Sequence, residues 1–173
     1  MYHFHTYFVC YFFFLENFVD IKSILLYEFH LKTQMHLFGN LKRVLINEIT
    51  VSIHVRRGDF IRLHCSICRE RYYTRAIKEL EKCISKPVYL VFSDDIEWVK
   101  ENMKINGERM YISDKGYADY EEFTIMKNCK HNITANSTFS YWAAYLNPNP
   151  DKIVIYPKTW DKVEIIPDNW IGV

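Results

Sequence analysis

The feature that most constrains the fold is an alternation of short apolar runs with longer amphipathic stretches, which begins near residue 41. The apolar runs predict strands at residues 51–55, 88–93, 109–112, 131–135 and 153–156. The stretches between them have helical spacing and predict helices at residues 71–85, 96–102, 120–129 and 139–146. Strands that alternate with helices in this way favour a parallel sheet with helices on both faces. We therefore predict an α/β, Rossmann-like fold.

Length and composition exclude several classes of protein. A chain of 173 residues is about one domain long and can bury a substantial core. The net charge of +1 gives no electrostatic reason to expect nucleic-acid binding. Aromatic residues make up 17% of the chain, with only 5 Gly and 5 Pro, and this composition favours a globular domain over a disordered or fibrous chain.

The cysteines give no complete metal site. They are unevenly spaced, at Cys10, Cys65, Cys68, Cys83 and Cys129. Cys65 and Cys68 form a CxxC beside His64, but no second CxxC or pair of histidines completes a zinc site. Reduced cytosolic thiols are the simpler interpretation, and a partial metal cluster is the alternative. We predict no metal ligands.

The first 49 residues differ from the rest. Residues 7–15 form an apolar, aromatic run that is too short to span a bilayer. A basic segment and a small-residue cleavage site, which a signal peptide needs, are missing. A buried strand, an interfacial segment and an artefactual start all stay open. We divide the chain into an aromatic-rich segment at 1–49 and a Rossmann-like domain at 50–173.

Two arginines end the first predicted strand. Alternation along the strand places His54 and Arg56 on one side and Arg57 on the other, before the turn at Gly58 and Asp59. Open α/β sheets bind ligands at this edge, and the planar fork of arginine suits a phosphate or carboxylate. A solvated surface or a structural ion pair is the alternative. The Arg-Gly-Asp tripeptide also matches an integrin-adhesion motif, which is expected on an exposed loop tip.

Two further strand-to-helix junctions carry polar side chains, at residues 92–95 and 135–140. Helix N-termini offer free backbone amides and a positive dipole end, which favour phosphate. Ser and Asp are also ordinary helix-capping residues, so capping alone is the alternative. The three junctions are expected to open on the same edge of a parallel sheet. Their convergence predicts a nucleotide-phosphate pocket.

The residues at these junctions resemble the motifs of a known family. Residues 54–60, HVRRGDF, are similar to the HxRRGDY signature of the α-1,2-fucosyltransferases, glycosyltransferase family 11. Residues 91–100 resemble the family's FSDDxxWCK, and residues 129–146 resemble its CKHxIxANSTFSWWxAWL. Residues 152–160 are similar to its closing strand and PKxW. The resemblance therefore covers about residues 50–160.

This chain departs from the family's pattern in two ways. Four substitutions are modest: Phe60 for Tyr, Val99 for Cys, Tyr141 for the first Trp, and Glu122 where Asp is usual. None of them removes a phosphate-binding group. Family enzymes also carry another Rossmann-like half before the HxRRGD motif, which about fifty residues cannot build. The resemblance thus implies the GDP-sugar-binding half of a GT-B glycosyltransferase, with a truncated or replaced first half.

The resemblance implies transfer of L-fucose from GDP-β-L-fucose to the 2-hydroxyl of a terminal galactose, with inversion and without a metal. Arg56 is implied as the catalytic group that stabilises the leaving diphosphate, and Asp59 is the weak candidate for a base. His54 is expected to contact the nucleotide. Arg57 is expected to hold the loop through Asp59 or Glu122.

Further donor contacts follow from the same resemblance. The binding set implied for GDP-fucose is His54, Arg56, Arg57, Asp94, Glu122, Asn136, Ser137, Thr138 and Ser140. Asp94 and Glu122 are assigned to guanine or ribose, and the hydroxyls after residue 136 to the phosphates. The adjacent carboxylates of Asp94 and Asp95 suit a helix cap better than a metal ion. No cofactor beyond the donor is implied.

Two other functions stay open, an inactive GDP-sugar-binding fragment or pseudoenzyme and, more remotely, an adhesive Arg-Gly-Asp protein. The expected partners are GDP-fucose and a galactose-terminated glycan, without nucleic acid. We expect a cytoplasmic enzyme or one at the periphery of the inner membrane. The Golgi lumen is the alternative, if a membrane anchor has been lost with the N-terminus.

Overall fold

The sheet is parallel throughout. The computed structural model of the protein describes residues 19–29, 37, 39–63, 67–160 and 165–173. The strands are β1 Thr50–Val55, β2 Val88–Ser93, β3 Glu108–Tyr111, β4 His131–Ile133, β5 Val154–Tyr156 and β6 Ile171–Gly172. Their order in the sheet is β3-β2-β1-β4-β5-β6, and every neighbouring pair is parallel. This order is typical of the Rossmann fold, so the predicted fold class is confirmed.

Helices cover both faces of the sheet. They are α1 Lys22–Glu28, α2 Leu41–Asn47, α3 Gly58–Arg62, α4 Glu70–Leu80, α5 Ile96–Asn102, α6 Asp119–Lys127 and α7 Thr138–Tyr145. Within the described parts of the chain, no helix is long and apolar enough to cross a bilayer.

Strands β1, β2 and β4 are buried on both faces, whereas β3 and β6 are exposed or only partly buried. Alternation assigns the side chains of the buried strands to two cores. Val51, Ile53 and Val55 pack with buried residues of α4 and α5 on one face. Leu90 and Phe92 pack with α2, α6 and α7 on the other face. Because successive side chains of a strand point to opposite faces, one apolar strand contributes to both layers.

The connections create a crevice between β1 and β4. From β1 the chain runs outward through β2 and β3, with α4 and α5 on one face. It then returns to β4 and β5, with α6 and α7 on the other face. In open α/β sheets, ligands bind at this reversal of strand order, outside the carboxyl ends of the strands.

A buried polar network joins β1 to β4 beneath this crevice. Asn132 donates from Nδ2 to Ser52 Oγ at 2.7 Å and to the Met126 carbonyl at 3.0 Å. Asn147 in turn donates to Asn132 Oδ1 at 2.8 Å and to the Cys129 carbonyl at 2.7 Å. Satisfied buried networks fix one arrangement of the elements they link. This network therefore sets the position of β4, and of the junction that follows it, relative to β1.

The described residues before β1 contribute to two different apolar clusters. Leu41 and Val44 of α2 are buried against β2 and α6, and Leu25 and Leu26 of α1 pack near the C-terminal half of α7. The division at residue 49 stays a prediction. The apolar run at residues 7–15 lies outside the described residues.

The structure corrects some predicted bounds. The helix predicted at 71–85 ends at Leu80, because the following turn tightens into a Cys83 N–H to Leu80 carbonyl bond of 2.9 Å. The apolar residues Tyr73, Ile77, Leu80 and Ile84 recur at helical spacing and predict a core-facing stripe; the first three are buried, and Ile84, which follows the helix, is partly buried. Helices α1, α2 and α3 and strand β6 were not predicted. The five-residue α3 and the two-residue β6 are too short to produce a clear period.

Candidate functional site

A cleft of about 770 Å³ opens at the carboxyl ends of the strands. All three predicted junctions line it, so the expected convergence is confirmed. Its lining residues are His54, Arg56, Phe60, Ser93, Asp94, Ile96, Ser113, Tyr117, Asp119, Glu122, Asn136, Ser137, Thr138, Phe139 and Trp160. The cleft lies where the strand order reverses, the usual ligand position in such sheets.

Arg56 lies in the cleft between two carboxylates. Its Nη2 is 2.7 Å from Asp59 Oδ2, and its Nη1 is 3.2 Å from Asp94 Oδ2. The ring of Phe60 lies 5.5 Å from the guanidinium carbon. The Arg56 side chain keeps 30% of its surface exposed, so it remains accessible from the cleft. A fixed guanidinium at the mouth of a cleft can bind an anion bidentately.

Arg57 turns away from the cleft, as strand alternation predicts. Its Nε contacts Asp95 Oδ2 at 3.2 Å, and its guanidinium lies 3.3 Å from the centre of the Trp98 ring. The expectation that Arg57 is held by Asp59 or Glu122 is therefore wrong, since Asp95 and Trp98 of the β2–α5 region hold it.

The Arg-Gly-Asp tripeptide is not presented as an adhesion motif would be. The Arg57 side chain is only 13% exposed and is engaged by Asp95, while Asp59 is paired with Arg56. Gly58 and Asp59 begin α3 and do not form a loop tip. This geometry disfavours the adhesive alternative.

His54 is buried beneath the cleft without a partner for one ring nitrogen. It is 4% exposed, and its Nδ1 has no hydrogen-bond partner. The ring packs against Phe139 at 5.6 Å between centroids. Burial lowers the pKa of His54 to about 4, with Asp94 opposing and Arg56 adding to this effect, so the ring is neutral near pH 7. A buried polar atom without a partner is unfavourable, which indicates that Nδ1 can serve a ligand.

Glu122 of α6 faces the cleft from the opposite side. Its Oε2 accepts a hydrogen bond of 2.9 Å from Ser113 Oγ. The Ser113 Oγ itself accepts a hydrogen bond of 3.0 Å from the Ser93 backbone N–H. Burial raises the pKa of Glu122 to about 7, and nearby Asp119 adds to this effect. A carboxyl with this pKa is partly ionised near neutrality and can accept from paired N–H donors of a ligand.

The β4–α7 junction contributes hydroxyl and amide groups. Asn136, Ser137 and Thr138 line the cleft, and the Ser137 side chain makes no capping hydrogen bond to α7. The capping alternative is therefore wrong for the Ser137 hydroxyl. Asn136 Oδ1 accepts from Cys68 Sγ at 3.4 Å.

Ser140 belongs to the framework of this junction. Its Oγ accepts from the Ala135 N–H at 3.2 Å and donates to the Ser137 carbonyl at 3.3 Å, and the residue is 1% exposed. It lies outside the cleft lining, so the expected contact with phosphate is corrected to a role in shaping the β4–α7 turn.

The capping interpretation of the β2–α5 junction is also wrong. Neither Asp94 nor Asp95 caps α5 through its side chain, because both carboxylates contact the arginines after β1. Ser93 Oγ instead accepts from the Asp95 N–H at 3.0 Å. The predicted contact of Asp94 with guanine or ribose would have to compete with Arg56 and Arg57.

Asp59 is poorly suited to act as a base. Its hydrogen bond to Arg56 is the main cause that lowers the pKa of this carboxyl. A carboxylate with a lowered pKa accepts a proton reluctantly. Its second oxygen, Oδ1, is buried without a partner.

Cys68 lies beside the cleft as a free thiol, and burial raises its pKa. Its CxxC partner Cys65 and the neighbouring His64 fall outside the described residues. Among the residues that the structure describes, no group of three or more His, Cys, Asp or Glu side chains is placed to hold a metal ion.

Several residues that line the cleft were not predicted as site residues. They are Phe60, Ile96, Ser113, Tyr117, Asp119, Phe139 and Trp160. Ser113 and Trp160 follow β3 and β5, so the rule that ligands bind beyond strand ends would have found them if applied to every strand. Asp119 and Tyr117 lie before or at the start of α6, and no periodic signal marks them.

The sequence is similar to a known family and to several of its members. The chain matches the family model of glycosyl transferase family 11 over residues 2–172, which extends beyond the motifs at both ends. It is 36% identical over 155 residues to the O-antigen biosynthesis glycosyltransferase WbnK of Escherichia coli, covering 83% of this chain and 50% of that protein. It is 35% identical over 141 residues to an alpha-1,2-colitosyltransferase of Escherichia coli, covering 72% and 47%.

A more distant similarity is to galactoside alpha-(1,2)-fucosyltransferase 1 of Saimiri boliviensis boliviensis, at 31% identity over 103 residues, 56% of this chain and 28% of that protein. No solved structure matches. The chain spans about half the length of the two Escherichia coli relatives. Because the family model covers nearly all of its residues, the chain belongs to glycosyl transferase family 11.

Proposed function

We propose that this chain binds a GDP-activated 6-deoxy sugar in the cleft and serves an inverting transfer of L-fucose to the 2-hydroxyl of a terminal galactose. One observation carries the proposal. The accessible guanidinium of Arg56, the unpartnered Nδ1 of buried His54 and the start of α7 surround one cleft at the reversal of strand order. Such a cleft offers one set of groups for the diphosphate and another for the guanine base of the nucleotide.

The diphosphate is assigned to Arg56 and to the start of α7. Negative charge grows on the diphosphate as the C–O bond to the sugar breaks, because the electron pair of that bond leaves with it. A guanidinium already oriented in the cleft stabilises this charge. The hydroxyl groups of Ser137 and Thr138 can donate hydrogen bonds to phosphate oxygens, and the free N–H groups of α7 add to the positive potential.

The nucleoside is assigned to the opposite part of the cleft. Guanine presents adjacent N–H donors, which suit the carboxylate of Glu122. His54 and Asn136 are placed for further hydrogen bonds to the nucleotide. Arg57 acts indirectly in this assignment, by fixing the loop after β1.

The names of the relatives support the class of transfer. They include an alpha-1,2-colitosyltransferase and a galactoside alpha-(1,2)-fucosyltransferase. We accordingly propose GDP-fucose as the donor and a galactose-terminated glycan as the acceptor. We place the reaction in the cytoplasm or at the periphery of the inner membrane, with the Golgi lumen as the alternative.

A second candidate is a GDP-sugar-binding domain without transferase activity. The observation that favours it is that the groups assigned to GDP all line one cleft, so nucleotide binding depends on these residues alone. In this case residues 50–173 bind the nucleotide without transferring the sugar.

Two measurements test the proposal. Calorimetric titration should detect GDP binding that is tighter than ADP binding, because Glu122 accepts from guanine N–H groups that adenine lacks. Transfer of radiolabelled fucose from GDP-fucose to a galactose-terminated oligosaccharide separates the transferase from the binding domain. Equal affinity for GDP and ADP, or no binding of either, would refute the donor assignment.

A further inference from the structure

We propose that Asp94 is a positioning residue, whose carboxylate orients Arg56 toward the diphosphate and holds the turn after β1. This inference rests on the proposed function of the cleft and assigns Asp94 a role other than a direct contact with guanine or ribose.

The two oxygens of Asp94 reach both arginines. Oδ1 accepts a hydrogen bond of 2.9 Å from the Arg57 backbone N–H, and Oδ2 lies 3.2 Å from Arg56 Nη1. One carboxylate at the end of β2 therefore connects the backbone after β1 with the guanidinium in the cleft. The parallel register of β1 and β2, which pairs Val55 with Ser93, places Asp94 directly beside Arg56.

Gly58 makes room for this contact. A Cβ atom at position 58 would lie 2.9 Å from Asp94 Oδ2 and 3.2 Å from its Cγ, both closer than ordinary packing allows. Any larger residue would push against the carboxylate. The glycine of the RRGD segment thus fits the close approach of Asp94, and no left-handed backbone conformation is needed to explain it.

Arg56 is held on a second side as well. Asp59 contacts Nη2 at 2.7 Å, and the Phe60 ring lies 5.5 Å away. A guanidinium has more N–H donors than two carboxylate contacts use, so donors remain for a diphosphate. Two carboxylates on different nitrogens restrict rotation of the planar fork, which lowers the entropy lost when the diphosphate binds.

The sign of the expected effect separates positioning from simple electrostatics. A carboxylate near a diphosphate repels it, so removal of its charge alone should strengthen the preference for GDP over GMP. If Asp94 positions Arg56, removal of its charge should weaken that preference, because the guanidinium no longer points at the β-phosphate.

The test is Asp94→Asn, which keeps an acceptor oxygen for the Arg57 N–H and removes the ion pair with Arg56. The dissociation constants of GDP and GMP are measured by calorimetry. We expect the dissociation constant of GMP divided by that of GDP to fall about tenfold, in line with the loss of one charged hydrogen bond. Glu97→Gln is the matched control, because it removes one charge nearby but contacts neither arginine; its ratio should be unchanged.

A double-mutant cycle identifies the path of the effect. In an Arg56→Ala background, Asp94→Asn should no longer lower the ratio and should raise it slightly, because the residue to be positioned is gone and only the repulsion between the carboxylate and the diphosphate is removed. An equal fall in both backgrounds, or a rise in the single variant, would overturn the inference.

A second measurement needs no variant of Asp94. In the ligand-free protein, the Nη1 and Nη2 groups of Arg56, which contact Asp94 and Asp59, should give an arginine Nη–Hη signal that is slow to exchange with water, assigned by its loss in Arg56→Lys. Absence of this signal would contradict the fixed orientation of Arg56, even if the Asp94→Asn variant fails to fold. If the unaltered protein does not bind GDP at all, the proposed function itself would be refuted.

Discussion

At the scale of residues, the adjacent arginines Arg56 and Arg57 have different partners, and we predict different effects when each is replaced by lysine. Arg56→Lys keeps the charge but loses the planar fork, so the leaving diphosphate is stabilised from one point only. Fucose transfer should fall by about 10²–10³, equivalent to about 2.7–4 kcal/mol of transition-state stabilisation. The measurement is the initial rate with radiolabelled GDP-fucose, with GDP affinity measured in parallel.

Arg57→Lys is the comparison for this prediction. Its guanidinium lies over Trp98 and contacts Asp95, away from the cleft. We expect a lower melting temperature, because lysine cannot reproduce the stacked contact, and a GMP-to-GDP ratio close to that of the unaltered protein. If Arg57→Lys abolishes transfer while Arg56→Lys retains it, the catalytic side of the strand has been assigned the wrong way round.

Glu122 predicts a pH dependence of nucleotide binding. With a pKa of about 7, this carboxyl is mostly protonated at pH 6 and mostly ionised at pH 8. The ionised form accepts from guanine N–H groups, so GDP affinity should rise by up to about tenfold over this interval. Glu122→Gln should remove this component and leave only the ionisation of GDP itself. An identical pH profile in both proteins would contradict the assignment.

The same raised pKa has a consequence for stability. Burial disfavours the ionised carboxyl, so the folded state binds the proton more tightly than the unfolded state does. The contribution of Glu122 to the free energy of unfolding therefore declines as pH rises from its ordinary pKa of 4.5 to about 7.

At the scale of elements, the start of α7 carries a prediction that separates binding from stability. The Ser137 side chain makes no capping bond, and Thr138 is exposed. Ser137→Ala combined with Thr138→Ala should therefore weaken GDP binding by roughly 1.5–3 kcal/mol for each hydrogen bond lost. Calorimetry measures the affinity, and the melting temperature should change little.

Ser140→Ala is the contrasting variant on the same element. Its hydroxyl satisfies the Ala135 N–H inside the protein, so its removal should lower stability by about 1–3 kcal/mol. If the Ser137 and Thr138 variants melt early while GDP affinity is unchanged, these hydroxyls serve the fold and the phosphate assignment is wrong.

Elements also differ in how well the sequence predicts them. The prediction of α5 matches its bounds, and β2 was predicted to the residue, because each has a clear period between turn signals. The two-residue β6 and the five-residue α3 are too short for periodicity to register. They form because neighbouring elements are already in place, which a local pattern does not contain.

The site was predictable in its location but not in its ion pairs. The rule for strand ends brought the segments 54–59 and 136–140 together correctly. The pairing of Asp94 with Arg56 depends on the register of β1 and β2, which places residues 38 positions apart side by side. A capping residue and a partner of arginine look alike in sequence, so only the packed structure distinguishes them.

At the scale of the whole molecule, the described residues contain an entire switch point, with β1 and β4 adjacent and helices on both faces. The groups assigned to GDP all lie within this unit. Nucleotide binding should therefore be measurable in this chain, although it spans about half the length of its Escherichia coli relatives.

Thermal unfolding with and without GDP tests whether this chain binds the nucleotide. The same measurement in EDTA tests whether binding needs a metal ion. The carboxylates of Asp94 and Asp95 are engaged by arginines, so charge compensation of the diphosphate is assigned to Arg56. At a GDP concentration of about 100 times its dissociation constant, stability should rise by about 2.7 kcal/mol. For a chain of this size, that is a rise of about 5–10 °C in melting temperature. Saturating EDTA should leave this rise unchanged. A rise that disappears in EDTA and returns only with Mn²⁺ or Mg²⁺ would assign charge compensation to a metal ion.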